Sequence, residues 1–160
     1  MDDQLERRVA RLEAAREIER LQIRYAEICD AGYDPAEIGK LVTEDVVWDG
    51  GDALGRHEGK DAVCAFFAGA PNRITWALHY MIAAAVEVDD EGENARGSWY
   101  LWQPCTIATA DGPRATLITG RYANRFRREN GGWLFSEITI DVQTETPLDE
   151  GWVKTRFLAG

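Results

Sequence analysis

Arg20-Leu21-Gln22-Ile23-Arg24-Tyr25-Ala26-Glu27-Ile28-Cys29-Asp30-Ala31-Gly32-Tyr33-Asp34 is the stretch on which the fold turns. Leading into it, Leu5, Val9, Leu12, Ile18, Leu21, Tyr25 and Ile28 recur mostly every three or four residues. This spacing predicts an amphipathic helix over residues 3–31. Gly32 supplies its stop. Asp30 is then a carboxylate on an otherwise apolar stretch, at the helix end where the dipole disfavours negative charge. Burial there is costly unless the group is paired. A partner stands in Trp76-Ala77-Leu78-His79-Tyr80-Met81-Ile82, where one of the chain's two histidines sits in an apolar run.

Working outward, Asp34-Pro35 reads as the N-cap and first residue of a second helix over Pro35–Val42. Thr43–Gly50 reads as a short strand, Gly50–Gly59 as loop, and Lys60–Ala68 as a third helix broken by Pro71-Asn72-Arg73. The second half changes character. Thr75–Val88, Ala95–Thr109, Ala115–Arg128 and Trp133–Thr144 are rich in β-branched and aromatic residues. Turn chemistry separates them, at residues 89–94, 110–113 and 129–132. Short connections imply antiparallel neighbours. The expectation is therefore an α+β fold: one long curled antiparallel sheet, with N-terminal helices over its concave face and an apolar interior. One domain is expected over residues 1–160, with its core in 5–146. The tail 147–160, carrying Trp152 and Phe157, would cover the cone mouth or pack on a partner.

Composition narrows the function classes. With 45% apolar and 29% charged residues, the 160-residue chain has the balance of a soluble globular protein. No apolar run reaches membrane-span length, and the polar start carries no signal core, so a cytoplasmic location is expected. Lys plus Arg is 18 against 28 Asp plus Glu, and a net charge of −10 repels nucleic acid. The cationic run Arg121–Arg128 alternates with aromatics as the solvated face of a strand would. Cys29, Cys64 and Cys105 lack metal or redox spacing and read as reduced, packed residues. Phosphate-loop, nucleophile-elbow and dinucleotide motifs are absent from the sequence, so neither metal nor cofactor is expected.

The chemistry rests on few residues. An imidazole titrates near neutral pH, so His79 on the wall of a closed pocket suits proton abstraction. It then needs a carboxylate on its other nitrogen, which Asp30 could supply. The alternative is a packed histidine with no catalytic role. Tyr25, about 140° round an ideal helix from Asp30, is either a phenol donor to a substrate oxygen or a core aromatic. Trp48, Trp76, Tyr80, Trp99, Tyr100 and Trp102 are candidates for the wall of a pocket for a flat hydrophobic ligand. Strand alternation puts Trp99 opposite in face to Tyr100 and Trp102, so at most half of them can face inward. His57, in Gly55-Arg56-His57-Glu58-Gly59, is expected to be exposed in a polar loop.

Several motifs, in order, resemble the SnoaL-like branch of the nuclear-transport-factor-two-like superfamily. They are Ile18–Tyr25 leading into Asp30, the Thr43–Trp48 strand, Gly59-Lys60-Asp61-Ala62-Val63, His79 in its strand, and Asn130–Ser136. The resemblance covers about residues 5–146 and implies a conical α+β barrel. Within the superfamily the chain is similar to hexachlorocyclohexane dehydrochlorinase, scytalone dehydratase and bile acid 7α-dehydratase. It thereby implies an aspartate–histidine dyad at Asp30 and His79, a matching tyrosine at Tyr25 and a pocket tryptophan at Trp48. Where the dehydrochlorinase has a pocket arginine and lysine, this chain has Ile138 and Tyr25, which argues against halide elimination. The second histidine of scytalone dehydratase has no counterpart.

The expected function is a cofactor-independent lyase of the dehydratase type, or an isomerase, acting on a hydrophobic cyclic molecule such as a steroid, polyketide or aromatic catabolite. The alternatives are a non-catalytic binding protein, the small subunit of a ring-hydroxylating dioxygenase, and a polyketide cyclase. A homodimer or homotrimer is expected.

Overall fold

The computed structural model describes residues 3–158; Met1, Asp2, Ala159 and Gly160, which include the last two residues of the tail, lie outside them. Helix α1 runs Asp3–Asp30, 28 residues and about 42 Å. Its buried stripe differs from the one the spacing suggested. Leu5, Val9 and Leu12 are exposed, and burial begins at Ala14 and continues through Ile18, Gln22, Tyr25, Ala26, Ile28 and Cys29. The side chains of its first turns stay largely in solvent, where Arg11 pairs with Asp90 at 2.5 Å. The helix stops as Gly32 suggests: the Gly32 N–H bonds Cys29 O and the Tyr33 N–H bonds Ile28 O, the paired bonds of a glycine-capped end.

Helix α2 is only Pro35–Gly39, capped by Asp34 Oδ1. The expected helix to Val42 is cut short because Val42 opens strand β1, Val42–Asp49. The expected loop 50–59 is partly ordered, as helix α3 (Gly51–Leu54) and strand β2 (Arg56–Glu58), which pairs back on β1. Helix α4 spans Lys60–Gly69, followed by a 3₁₀ turn at Ala70–Asn72.

The expected strand 75–88 is broken in two, β3 (Ile74–Ala77) and β4 (Tyr80–Val88). Both pair the same edge of β5 (Asn94–Thr109). Strands β6 (Gly112–Glu129) and β7 (Gly132–Pro147) complete the meander. The sheet order is β2-β1-β7-β6-β5-β3, with β4 also on β5, and β1 runs parallel to β7. The sheet is large, mostly antiparallel, curled and unclosed, with α1 and α4 on its concave side. Along β5 and β6 every second residue faces in: Trp99, Leu101, Gln103, Cys105 and Ile107, then Ile118, Gly120, Tyr122, Asn124 and Phe126. The tail forms a short helix α5, Gly151–Lys154, then a bridge between Glu145 and Phe157 beside the end of β7.

A buried polar latch ties α1 to the sheet. Gln22, fully buried, accepts from Asn124 Nδ2 at 2.9 Å, and Asn124 Oδ1 accepts from the Thr139 N–H at 3.2 Å.

Candidate active site

The break between β3 and β4 comprises Leu78 and His79. The Leu78 N–H bonds Pro104 O at 3.1 Å, but a proline has no N–H to return, so the ladder lapses here. His79, expected within a strand, therefore sits between two. The consequence is chemical: its backbone N–H is free of the sheet and donates to Asp30 Oδ1 at 2.9 Å. The ring Nδ1–H donates to the same oxygen at 2.7 Å. This fixes the neutral imidazole with its proton on Nδ1 and leaves Nε2, which has no partner among the described residues, as the acceptor. The imidazole is 5% exposed and the carboxylate 27%. Asp30 thus keeps an edge in solvent while its partner is sealed in.

His79 lines a cavity of about 80 Å³ on the concave side. Around it stand Tyr25 and Tyr33 from α1 and its cap, Trp48 from β1, Phe66 and Phe67 from α4, and Leu101, Gln103, Ile118, Tyr122 and Ile140 from the sheet. Arg73 and Glu145, ion-paired at 2.5 Å, stand on its wall beside the tail. Apart from these, His79, Gln103 and Cys29, the lining is aromatic and aliphatic. Trp48 lies 4.3 Å from Phe66 between ring centroids, and Tyr25 meets Phe67 edge to face at 5.9 Å. A larger trough of about 380 Å³ on the outer face is open and charged, bordered by Glu87, Arg96, Arg125 and Glu137, and holds no predicted site residue.

Tyr25 is buried, and its hydroxyl accepts from Trp48 Nε1 at 3.3 Å. Burial, reinforced by nearby Tyr122, pushes its phenol well up, and burial does the same for Tyr33 and Tyr122. All three are neutral hydroxyls that can donate hydrogen bonds. Cys29 also lines the cavity, but burial and then the neighbouring Asp30 push its thiol up, which argues against a nucleophile.

The sequence-predicted residues divide cleanly. The fold brings Asp30, His79, Tyr25 and Trp48 together. Trp99 is buried against Phe126, away from the cavity. Trp76, Tyr80, Tyr100 and Trp102 point outward and are about half exposed, so the pocket wall expected of them is built by Phe66, Phe67 and Tyr122 instead. His57 is half-buried rather than exposed. It stacks on Phe66 at 4.3 Å, and its Nε2 lies 3.1 Å from Leu54 O. Tyr33, Gln103, Arg73 and Glu145 were not singled out. Gln103 had a signal, being the lone polar residue in the alternating series Trp99, Leu101, Gln103, Cys105, Ile107. Among the described residues, no group of three His, Cys, Asp or Glu side chains gathers as a metal site would.

Comparison with known proteins agrees with this architecture. A proposed aromatic ring hydroxylase from Novosphingobium aromaticivorans is 28% identical, with TM-score 0.70 over 84% of this chain and 94% of that one. A type 2 hexachlorocyclohexane dehydrochlorinase is 19% identical, with TM-score 0.78 over 88% of this chain and 92% of that one. A proposed scytalone dehydratase, also from N. aromaticivorans, is 18% identical, with TM-score 0.74 over 85% and 88%. No curated protein matches the sequence. The SnoaL-like domain matches residues 10–139, most of the chain, and with the cone-shaped α+β fold this establishes that the protein belongs to the SnoaL-like family of the nuclear-transport-factor-two-like superfamily.

Proposed function

We propose that the protein is a cofactor-independent lyase of the dehydratase type, or an isomerase, with His79 as general base. Nε2 takes a proton from a substrate carbon, while Asp30 orients the ring and stabilises the imidazolium that forms. In dehydration the C–H electron pair ends in the new double bond once the neighbouring C–O bond has broken. The imidazolium returns the proton to the departing hydroxyl, which leaves as water. In isomerisation the same proton returns to a different carbon. Tyr25 serves as a neutral donor beside the reacting groups. The observation carrying this reading is the 2.7 Å contact between His79 Nδ1 and Asp30 on the wall of an apolar cavity.

Cavity size limits the substrate. About 80 Å³ is below the ~150 Å³ that holds one benzene, and far below the ~300–1,000 Å³ of drug-sized sites. Any ring therefore requires the site to open, for which parting of the Arg73–Glu145 pair offers a route, and a small monocyclic substrate asks for less opening than a steroid. The test uses a panel of monocyclic β-hydroxy ketones, followed by absorbance of the conjugated product. His79→Ala should lower kcat by roughly 10²–10⁴ with an unchanged circular dichroism spectrum, and Asp30→Asn should lower it less. Full turnover in His79→Ala sinks the proposal. A larger loss in Asp30→Asn than in His79→Gln would point instead to an aspartate-dependent cyclase.

A further inference from the structure

Two side chains on the cavity wall hold polar groups with no hydrogen-bond partner among the described residues. Tyr33 Oη and Gln103 Nε2 are both buried without a hydrogen-bond partner. Tyr33 is 6% exposed and Gln103 3%. Such groups cost stability in the free protein and are rare in native interiors. Tyr33 carries a second cost, because its φ of +61° lies in the left-handed region that aromatic residues seldom adopt. Strain of this kind collects at ligand sites. The two residues come from different elements, the α1 cap and β5, yet both face the cavity with His79. The Tyr33 ring meets the His79 imidazole edge to face at 5.9 Å. Gln103 precedes Pro104, which lies opposite the break that frees His79.

We propose that Tyr33 and Gln103 form a two-donor clamp for one substrate oxygen, so that the substrate is a carbonyl compound whose acidic C–H adjoins the held group. This rests on the reading of His79 as base. As Nε2 takes the α-proton, the C–H pair moves into the carbon–carbon bond and the carbonyl π pair moves onto oxygen. The Tyr33 O–H and Gln103 N–H bond that oxygen as its charge develops. The enolate then re-forms the carbonyl and expels the β-hydroxyl, which leaves as water with the imidazolium proton. The Tyr33 phenol, raised by burial, donates without surrendering its proton. No hydrogen bond among the described residues holds the Gln103 NH₂, so a substrate oxygen would be its first partner.

Phenol, a planar ring bearing an enolate-like oxygen, is the probe, with benzene as the hydrocarbon control. Calorimetry should find that the wild type binds phenol more tightly than benzene. Tyr33→Phe and Gln103→Met should each weaken phenol roughly tenfold, the scale of one hydrogen bond, and leave benzene unchanged. Each should also raise Tm by about 2–4 °C, because an orphaned donor is removed; a packing role would lower it. Unchanged phenol affinity in either variant, a lower Tm in either, or no preference for phenol in the wild type overturns the clamp. Exchange of the α-protons of cyclopentanone into D₂O, followed by NMR, reports on His79 separately. Exchange that persists in His79→Gln overturns the base, while the phenol arm still decides the clamp.

Discussion

A single oxygen, Asp30 Oδ1, receives both the backbone and the ring N–H of His79, so one carboxylate fixes a residue's position and its tautomer together. The surroundings hold the protons of the nearby thiols and phenols in place. Burial raises the Cys29 thiol and the Tyr25, Tyr33 and Tyr122 phenols, and it pushes the Cys105 thiol up to about 12. In each case the folded chain keeps a proton that the unfolded chain releases near the ordinary values of 9 for thiols and 10 for phenols. Stability from these groups is therefore whole below about pH 9 and is lost as pH rises towards their folded values. Thermal unfolding should give a flat Tm from pH 8 to 9 and a steep fall by pH 11; a flat profile through pH 11 would contradict it. Asp30 and His79 were legible because a titratable group in an apolar stretch demands a partner. The aromatics were less so, since Trp99 and Trp102 give both faces of β5 an apolar look. The answer was nonetheless latent in His79. If it faces inward, alternation turns Ala77 and Met81 inward with it and sends Trp76 and Tyr80 out, as observed.

At the scale of elements, polar residues and irregularities do what apolar periodicity could not report. The helix and four long strands were readable from spacing and turn residues, but α1 is anchored through Gln22 and Asn124, which no apolar pattern marks. The β4 bulge at Ala83, with φ +56°, was equally hidden. It switches the inward face from odd positions before it to Val86 and Val88 after it. Asn124→Ala would leave the buried Gln22 Oε1 and the part-buried Thr139 N–H without their partner. Urea unfolding should report a loss of about 1–3 kcal/mol. Leu12→Ala, in the exposed first half of the same helix, should cost under ~0.5 kcal/mol. Equal losses at the two positions would show that the latch carries no special weight.

Across the whole molecule, the rejected pocket aromatics form a surface of their own. Trp76, Leu78, Tyr80 and Ile82 share an outward face with Tyr100 and Trp102, and the register sets Tyr80 opposite Trp102 and Ile82 opposite Tyr100. Large exposed apolar patches on soluble chains mark interaction sites. We propose that a second copy of this chain covers the patch. A chain of net charge −10 repels its own copies, so contact between them favours the region where acids are missing. None of these six residues is acidic, and a cation, Arg121, stands above Tyr100 at 5.3 Å. Light scattering behind a sizing column should therefore return a multiple of 17.9 kDa. Tyr100→Glu with Trp102→Glu, which sets carboxylates into the patch of every copy, should return the monomer mass with an unchanged circular dichroism spectrum. A monomeric wild type, or an assembly untouched by the double substitution, would leave the outer face without this role. The cavity lies on the opposite face of the sheet, so a monomeric double variant should still bind phenol as the wild type does.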